Sequence, residues 1–393
     1  MSAFAHPGFR AYFAGAVPLV NALWAQRVTL GWLAWEASGD PAFVGLVAAA
    51  GLAPMWLSGP VFGALVDRAD VVRAMRATAG AMMAILAVAA LVEGGPGLGR
   101  GGLLAVALAA GVATSAHHPV RMSLGPRLVP VAEVPSVVAL SALNFNLARL
   151  LAPVLTGVAL ATVGAVATLW VAAALHAPML LATRWMAPRD LPPAADAPIA
   201  RRLREGLDYV RATPVARRAL ALTFVMAVLI RGYLELLPVM AEGVHARGAE
   251  GLGWLTAAGG GGAVLAAAAK AAGAGGRWPL RLALVGGALA LTGQGLTAAS
   301  WPGALAWTAA LGFASTFGGV SLQAAVQADL PDGLRGRVMS LWVVVGLGAV
   351  ALGAGALGWA AAAVGLPATL TAAGLGGAAA FAWLLSAPGP RPK

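Results

Sequence analysis

The chain has 393 residues, 60% of them hydrophobic and only 10% charged, with a mean hydropathy of +0.82. A soluble domain carries about 25% charged residues, so a water-soluble globule is excluded, and the continuous apolar runs exclude an alternating membrane β-barrel. With no cysteine there is no disulfide, thiol catalysis or thiolate metal site, and the net charge of +11 finds its explanation below without nucleic acid.

Apolar runs of roughly 20 residues, enough for about 30 Å of hydrocarbon, recur near 9–35, 42–66, 74–93, 102–120, 134–162 and 167–186. They resume near 218–240, 251–272, 281–298, 303–326, 338–364 and 367–386. The pattern predicts an all-α polytopic membrane protein with twelve transmembrane helices. The first run is too long and too polar late in its course for a cleaved signal, and is read as span 1. With the N-terminus inside, Arg10, Arg68, Arg73, Arg76, Arg121 and Arg127 fall on the inner side, as do Lys270, Arg277, Arg281, Arg335 and Arg337. Outer loops hold only Arg100 and Arg247. The positive-inside rule then places both termini in the cytoplasm, and the charge is a topology signal.

Residues 187–217 divide the spans into halves, 1–186 and 218–393. This stretch begins with the Pro-rich linker "APRDLPPAADAP". It continues as "IARRLREGLDYVRATP", in which Ile199, Leu203, Leu207 and Val210 share a helical face opposite the arginines. Such a helix lies on an anionic leaflet or serves as a solvated linker. "RLVPVAEVPSVVALSAL" before span 5 and "DLPDGLRGRVMSLW" before span 11 echo one another, as a parallel duplication requires.

A charge at mid-bilayer costs about 2.5–3.5 kcal/mol on insertion scales and needs a reason. Four stand inside spans: Arg27, Arg149, Arg231 and Glu235. Arg27 sits with Asn21, Trp24 and Gln26 in span 1, as part of a substrate wall or as a snorkelling side chain. Arg231 and Glu235, i,i+4 in span 7, pair structurally, or Glu235 titrates as a proton carrier. Arg149 in span 5 has Asn144 and Asn146 nearby as further polar groups. His117, His118 and His176 lack the companions a metal site needs. "GGGG" at 259–262 is packing surface, and the span-end tryptophans form an interfacial belt. No G-x-S-x-G, H-E-x-x-H, P-loop or carboxylate pair is present, so no enzyme and no cofactor is expected.

Between spans 2 and 3 stands "GALVDRADVVRAMR" (63–76). With six plus six spans, this loop resembles motif A of the major facilitator superfamily, through Gly63, Leu65, Asp67 and Arg68. Its Asp70, with "GFRAYFAG", "EASGDPAFVGL", "NFNLARLLAPVLTG" and "DLPDGLRGRVMSL", resembles the branch of enterobactin-type siderophore exporters and macrolide-efflux proteins. The resemblance implies two pseudo-symmetric six-helix bundles whose spans 1, 4, 7 and 10 line a central path. It implies a cytoplasmic gate in which Gly63, Asp67, Arg68 and Arg73 meet the start of span 11 at Arg335 and Arg337. Val71-Val72 replace a basic pair and weaken that latch. "LLAPVLTG" is similar to a worn antiporter motif, with Pro153 kinking span 5. The function implied is proton-coupled export of an anionic or amphipathic small molecule by a monomer in a bacterial-type inner membrane. Arg27, Trp24, Gln26, Asn21, Arg149, Asn146 and Arg231 would bind substrate, and Glu235 would carry the proton. Multidrug or macrolide efflux and lipid or lysolipid transport are the alternatives.

Overall fold

A computed structural model describes residues 2–66, 69–189, 199–328 and 330–386, and their regular structure is helical throughout. The first half contains α1 (Pro7–Glu36), α2 (Pro41–Val66), α3 (Val71–Glu93), α4 (Gly99–Arg127), α5 (Val134–Ala174) and α6 (Ala177–Ala182). The amphipathic α7 (Ile199–Ala212) follows. Span 7 is α8 (Pro214–Met226), a π-helical turn Ala227–Arg231, the short α9 (Gly232–Leu234) and a second π-helical turn Val239–Val244. The rest is α10 (Gly248–Ala271), α11 (Arg277–Leu296), α12 (Trp301–Ala328), α13 (Asp332–Val364) and α14 (Leu366–Ser386).

Local chemistry sets the breaks between rods. Pro7 begins α1, where its missing N–H and fixed φ cost nothing. Asp70 caps α3, its Oδ1 accepting from Val72 N at 2.9 Å and Arg73 N at 3.0 Å. Spans 5 and 6 form one long element, α5, broken at Gly164 (φ 79°, ψ 173°), a conformation open essentially to glycine alone. The break falls in the gap expected between 162 and 167. Among the described residues, seven helices are long and apolar enough to cross a membrane, and the bent pair Arg204–Ala212 and Pro214–Leu234 adds an eighth.

The end of the bundle holding the start of α1 and the finish of α14 is here the terminal end, and the opposite one the far end. α2 packs on α4 and α1 on α5 in the first half; α10 packs on α12 and α11 on α14 in the second. Two main seams join the halves, α2 with α13 and α5 with α10. Exchanging span 2 with span 8 and span 5 with span 11 in these contacts turns one seam into the other.

Both seams rest on glycine. On α2 and α13, a Cβ at Gly358 would come within 3.1 Å of Gly45 Cα, and one at Gly45 would strike Ala354 O. On α5 and α10, a Cβ at Gly157 would strike Gly253 Cα. Backbones this close gain dispersion contact that a larger residue forbids. The α5 stripe Gly157, Pro153, Leu150 is covered by α10, with Thr256 Oγ1 donating to Pro153 O at 3.4 Å. One turn nearer the terminal end, Asn146 on α5 and Val264 on α10 are exposed. The seam therefore closes at the far end and parts toward the terminal end.

Candidate functional site

Three contacts, one turn apart, join α1 to span 7. Trp35 lies against Gly243, where a Cβ would come within 2.6 Å of the indole; Gly31 faces Pro238; and Arg27 Nη2 donates to Glu235 Oε1. The two rods run in the same direction, so residues 27, 31 and 35 meet 235, 238 and 243 in order. The ion pair is partly exposed, at 26% and 19% for the two side chains.

The i,i+4 pairing of Arg231 with Glu235 does not form. Arg231 ends a π-helical turn, and the chain then tightens to i→i+3 bonds, Glu235 N to Gly232 O at 3.2 Å and Leu236 N to Tyr233 O at 2.7 Å. A widened turn followed by a tightened one takes the two side chains out of the register that i,i+4 pairing needs. Glu235 turns to α1, and Arg231 turns to α12.

On α12, Arg231 Nε donates to Ser315 Oγ at 3.1 Å and Nη2 to Ser315 O at 3.3 Å. From the other half, Arg149 Nη2 donates to Thr316 Oγ1 at 3.2 Å. Two guanidiniums from opposite halves thus converge on adjacent residues of one helix, where like charges repel. Among the described residues neither has a carboxylate partner. All three bonds are to neutral groups, so both positive charges remain uncompensated among the described residues.

A second array leads away from Arg27. Its guanidinium lies 4.9 Å from the Trp24 ring, Trp24 and Phe145 centroids are 5.9 Å apart, and Arg121 lies 5.3 Å from Phe145. Cation, ring, ring and cation alternate across α1, α5 and α4. Arg121 and Phe145 escaped the sequence reading because Arg121 was counted as a topology charge. In the fold it is 8% exposed within α4, whose 29 residues reach past the expected end at 120.

Asn21 and Asn146 satisfy themselves locally, donating to Val17 O and Ala142 O at 2.8 Å each. Gln26 is buried with Oε1 unpartnered, as is Trp24 Nε1. Asn144 Nδ2 reaches Ala16 O at 3.2 Å and ties α5 to α1. Of the expected gate, Asp67 and Arg68 lie outside the described residues, as do the surroundings of Gly63 and the side chains of Arg335 and Arg337. Arg73 is exposed and pairs with Asp70 Oδ2 at 3.3 Å, in the first turn of its own helix. Pro153 passes through α5 without ending it.

A protein family described as transmembrane secretion effector matches residues 1–391. No curated protein matches the chain. Among solved structures, a POT family transporter in complex with a thioalcohol-conjugated peptide aligns at TM-score 0.75 and 12% identity, covering 96% of this chain and 95% of its own. A bacterial homologue of the human lysosomal transporter Spinster, inward-facing and unoccupied, aligns at 0.74 and 15%, covering 96% of both chains. The human organic anion transporter MFSD10 (TETRAN) aligns at 0.67 and 17%, covering 96% and 99%. These likenesses establish a shared fold with membrane transporters.

Proposed function

The chain belongs to the transmembrane secretion effectors, transporters of the major facilitator superfamily, and we propose that it exports an anionic, amphipathic small molecule by proton-coupled alternating access. The carrying observation is the meeting of Arg149 and Arg231 on Ser315 and Thr316 without a carboxylate. Glu235, the acidic residue expected to offset such charge, is committed to Arg27. An anion bound between Arg149 and Arg231 would relieve their repulsion and draw the two halves together. Trp24 and Phe145 would meet an apolar or aromatic portion.

In this reading Arg27–Glu235 is the far-end lock. Protonating Glu235 removes the charge that Arg27 holds, so the far end opens when a proton arrives and closes when it leaves. With both termini cytoplasmic, the far-end closure seen on α1, span 7, α5 and α10 is the inward-facing arrangement. The likeness to an organic anion transporter supports the anionic substrate. The Trp24–Phe145 wall favours a second reading, efflux of neutral hydrophobic drugs such as macrolides.

Thermal stabilisation of the purified protein by a catecholate siderophore, lysophosphatidic acid, erythromycin and ethidium separates these readings, because a ligand of the folded state raises stability by mass action. Stabilisation by the anions alone, lost in Arg149→Gln and Arg231→Gln, supports the anion exporter. Stabilisation by erythromycin, retained in both variants, replaces it with drug efflux.

A further inference from the structure

At the terminal end of the first half, a cleft of about 600 Å³ opens between the start of α3, the end of α4 and the segment after α6. It is lined by Arg73, Arg76, Arg127, Arg184 and Arg189, with Asp70 as the one carboxylate among the described residues. Asp70 is already engaged, capping α3 and pairing with Arg73. The other four arginines face the cleft without an ion-pair partner among the described residues.

Neutral groups hold two of these side chains, Arg76 and Arg189. Arg76 Nε donates to Thr183 Oγ1 at 2.7 Å and Nη2 to Thr183 O at 3.3 Å. Arg189 Nη2 donates to Pro126 O at 3.1 Å, and its backbone N to Arg127 O at 2.8 Å. Arg127 Nε is buried with no hydrogen-bond partner among the described residues. The positive-inside rule accounts for arginines at this end, but not for gathering five of them around one cleft with a buried donor unspent. Guanidiniums fixed by carbonyls and hydroxyls keep their full charge and their geometry for an anion, and arginine suits phosphate oxygens in pairs.

The surroundings choose the kind of anion. Trp185, between the lining residues Arg184 and Met186, and Leu181, in the last turn of α6, are 64% and 50% exposed. A tryptophan set beside an apolar surface marks headgroup depth, so a phosphate in the cleft would have hydrocarbon alongside it. We propose that this cleft binds the phosphate of an acidic phospholipid, of the phosphatidylglycerol class, with its acyl chains running past Leu181 and Trp185. The site is separate from Arg149 and Arg231 and independent of what the protein transports.

The test uses the full-length protein in a neutral detergent, titrated with phosphatidylglycerol, phosphatidylcholine or glycerol phosphate and followed by native mass spectrometry and thermal unfolding. Phosphatidylglycerol should be retained and should stabilise, while phosphatidylcholine should do neither. Arg127→Gln with Arg184→Gln should weaken phosphatidylglycerol binding by roughly tenfold to thirtyfold, the worth of two arginines at a membrane surface. Arg211→Gln with Arg217→Gln, exposed at the same end, should leave it unchanged. Should the first pair fail to fold, Arg184→Gln alone, on an exposed side chain, must still weaken it about fivefold. Equal losses in both double variants, or no loss in either, would overturn the proposal in favour of diffuse surface charge. Glycerol phosphate stabilising as well as the lipid would overturn it in favour of a soluble-anion site.

Discussion

Arg27 and Glu235, 208 positions apart, form an ion pair between α1 and span 7. Among the described residues it is the one ion pair that joins the two halves. Breaking a fully buried pair costs about 3–5 kcal/mol; this one is partly exposed, so roughly 1–3 kcal/mol is expected. Glu235→Gln should lower the melting temperature and lengthen the distance between spin labels at Ser38 and Ala246. The exchanged pair, Arg27→Glu with Glu235→Arg, should recover much of both. An unchanged label distance in Glu235→Gln would mean that Trp35 and Gly31 hold this end shut by themselves.

Arg231 should behave in the opposite sense. Two like charges held together without a counter-charge raise the energy of the ligand-free protein. Arg231→Gln keeps a donor for Ser315 and removes that repulsion, so the unliganded protein should melt about 1–3 °C higher. Binding of an anionic ligand should weaken at least tenfold in the same variant. Gain of stability with loss of binding is the signature of a functional charge. A lower melting temperature would make Arg231 a structural residue.

The α5–α10 seam gives a test by size alone. Gly157→Ala puts a methyl group against the Gly253 backbone, which has nowhere to retreat, and overpacking of this kind costs about 1–3 kcal/mol. A cysteine at Leu252, which is 1% exposed, should then react faster with a maleimide, and no native cysteine competes. Gly261→Ala meets nothing within 4 Å and should be neutral or stabilising by up to about 1 kcal/mol through helix propensity. Equal reactivity in the two variants would refute a tight seam at Gly157.

Asp70 should matter as a cap. The N–H of Arg73, with that of Val72 and the charges of Arg73 and Arg76, holds its carboxyl below the usual aspartate range. The depressed folded-state value means that this stabilisation is fully present above the unfolded pKa of about 3.9 and fades as pH falls toward the folded value. Asp70→Ala should cost about 1 kcal/mol at pH 7. The difference from the parent, read by thermal melts across pH, should shrink below about pH 4. A difference that persists at pH 3 would exclude the ionised cap.

Much of the fold was legible in the sequence because a bilayer leaves the chain few choices. Lipid cannot satisfy backbone polar groups, so each long apolar run must be helical, and the runs ending at 162 and starting at 167 do flank the Gly164 break. The intramembrane charges were legible as anomalies for the same reason. Their partners were not. Periodicity assigned Glu235 to Arg231 by assuming a regular helix, and the π-turn that undoes this spacing leaves no mark in "AVLIRGYLELL". Arg121 was hidden differently, since an arginine near a span end satisfies the positive-inside rule wherever its side chain goes.

By itself the sequence determined the membrane class, the helical rods and the rarity of charge within them, because hydrophobicity and backbone hydrogen bonding act locally along the chain. Only the tertiary structure decided that Arg27 neutralises Glu235 while Arg149 and Arg231 meet on Ser315 and Thr316. Those contacts join residues 84 to 208 positions apart. Their formation depends on how two halves dock through glycine seams and on how an irregular seventh span rotates its side chains, and neither is encoded in local spacing.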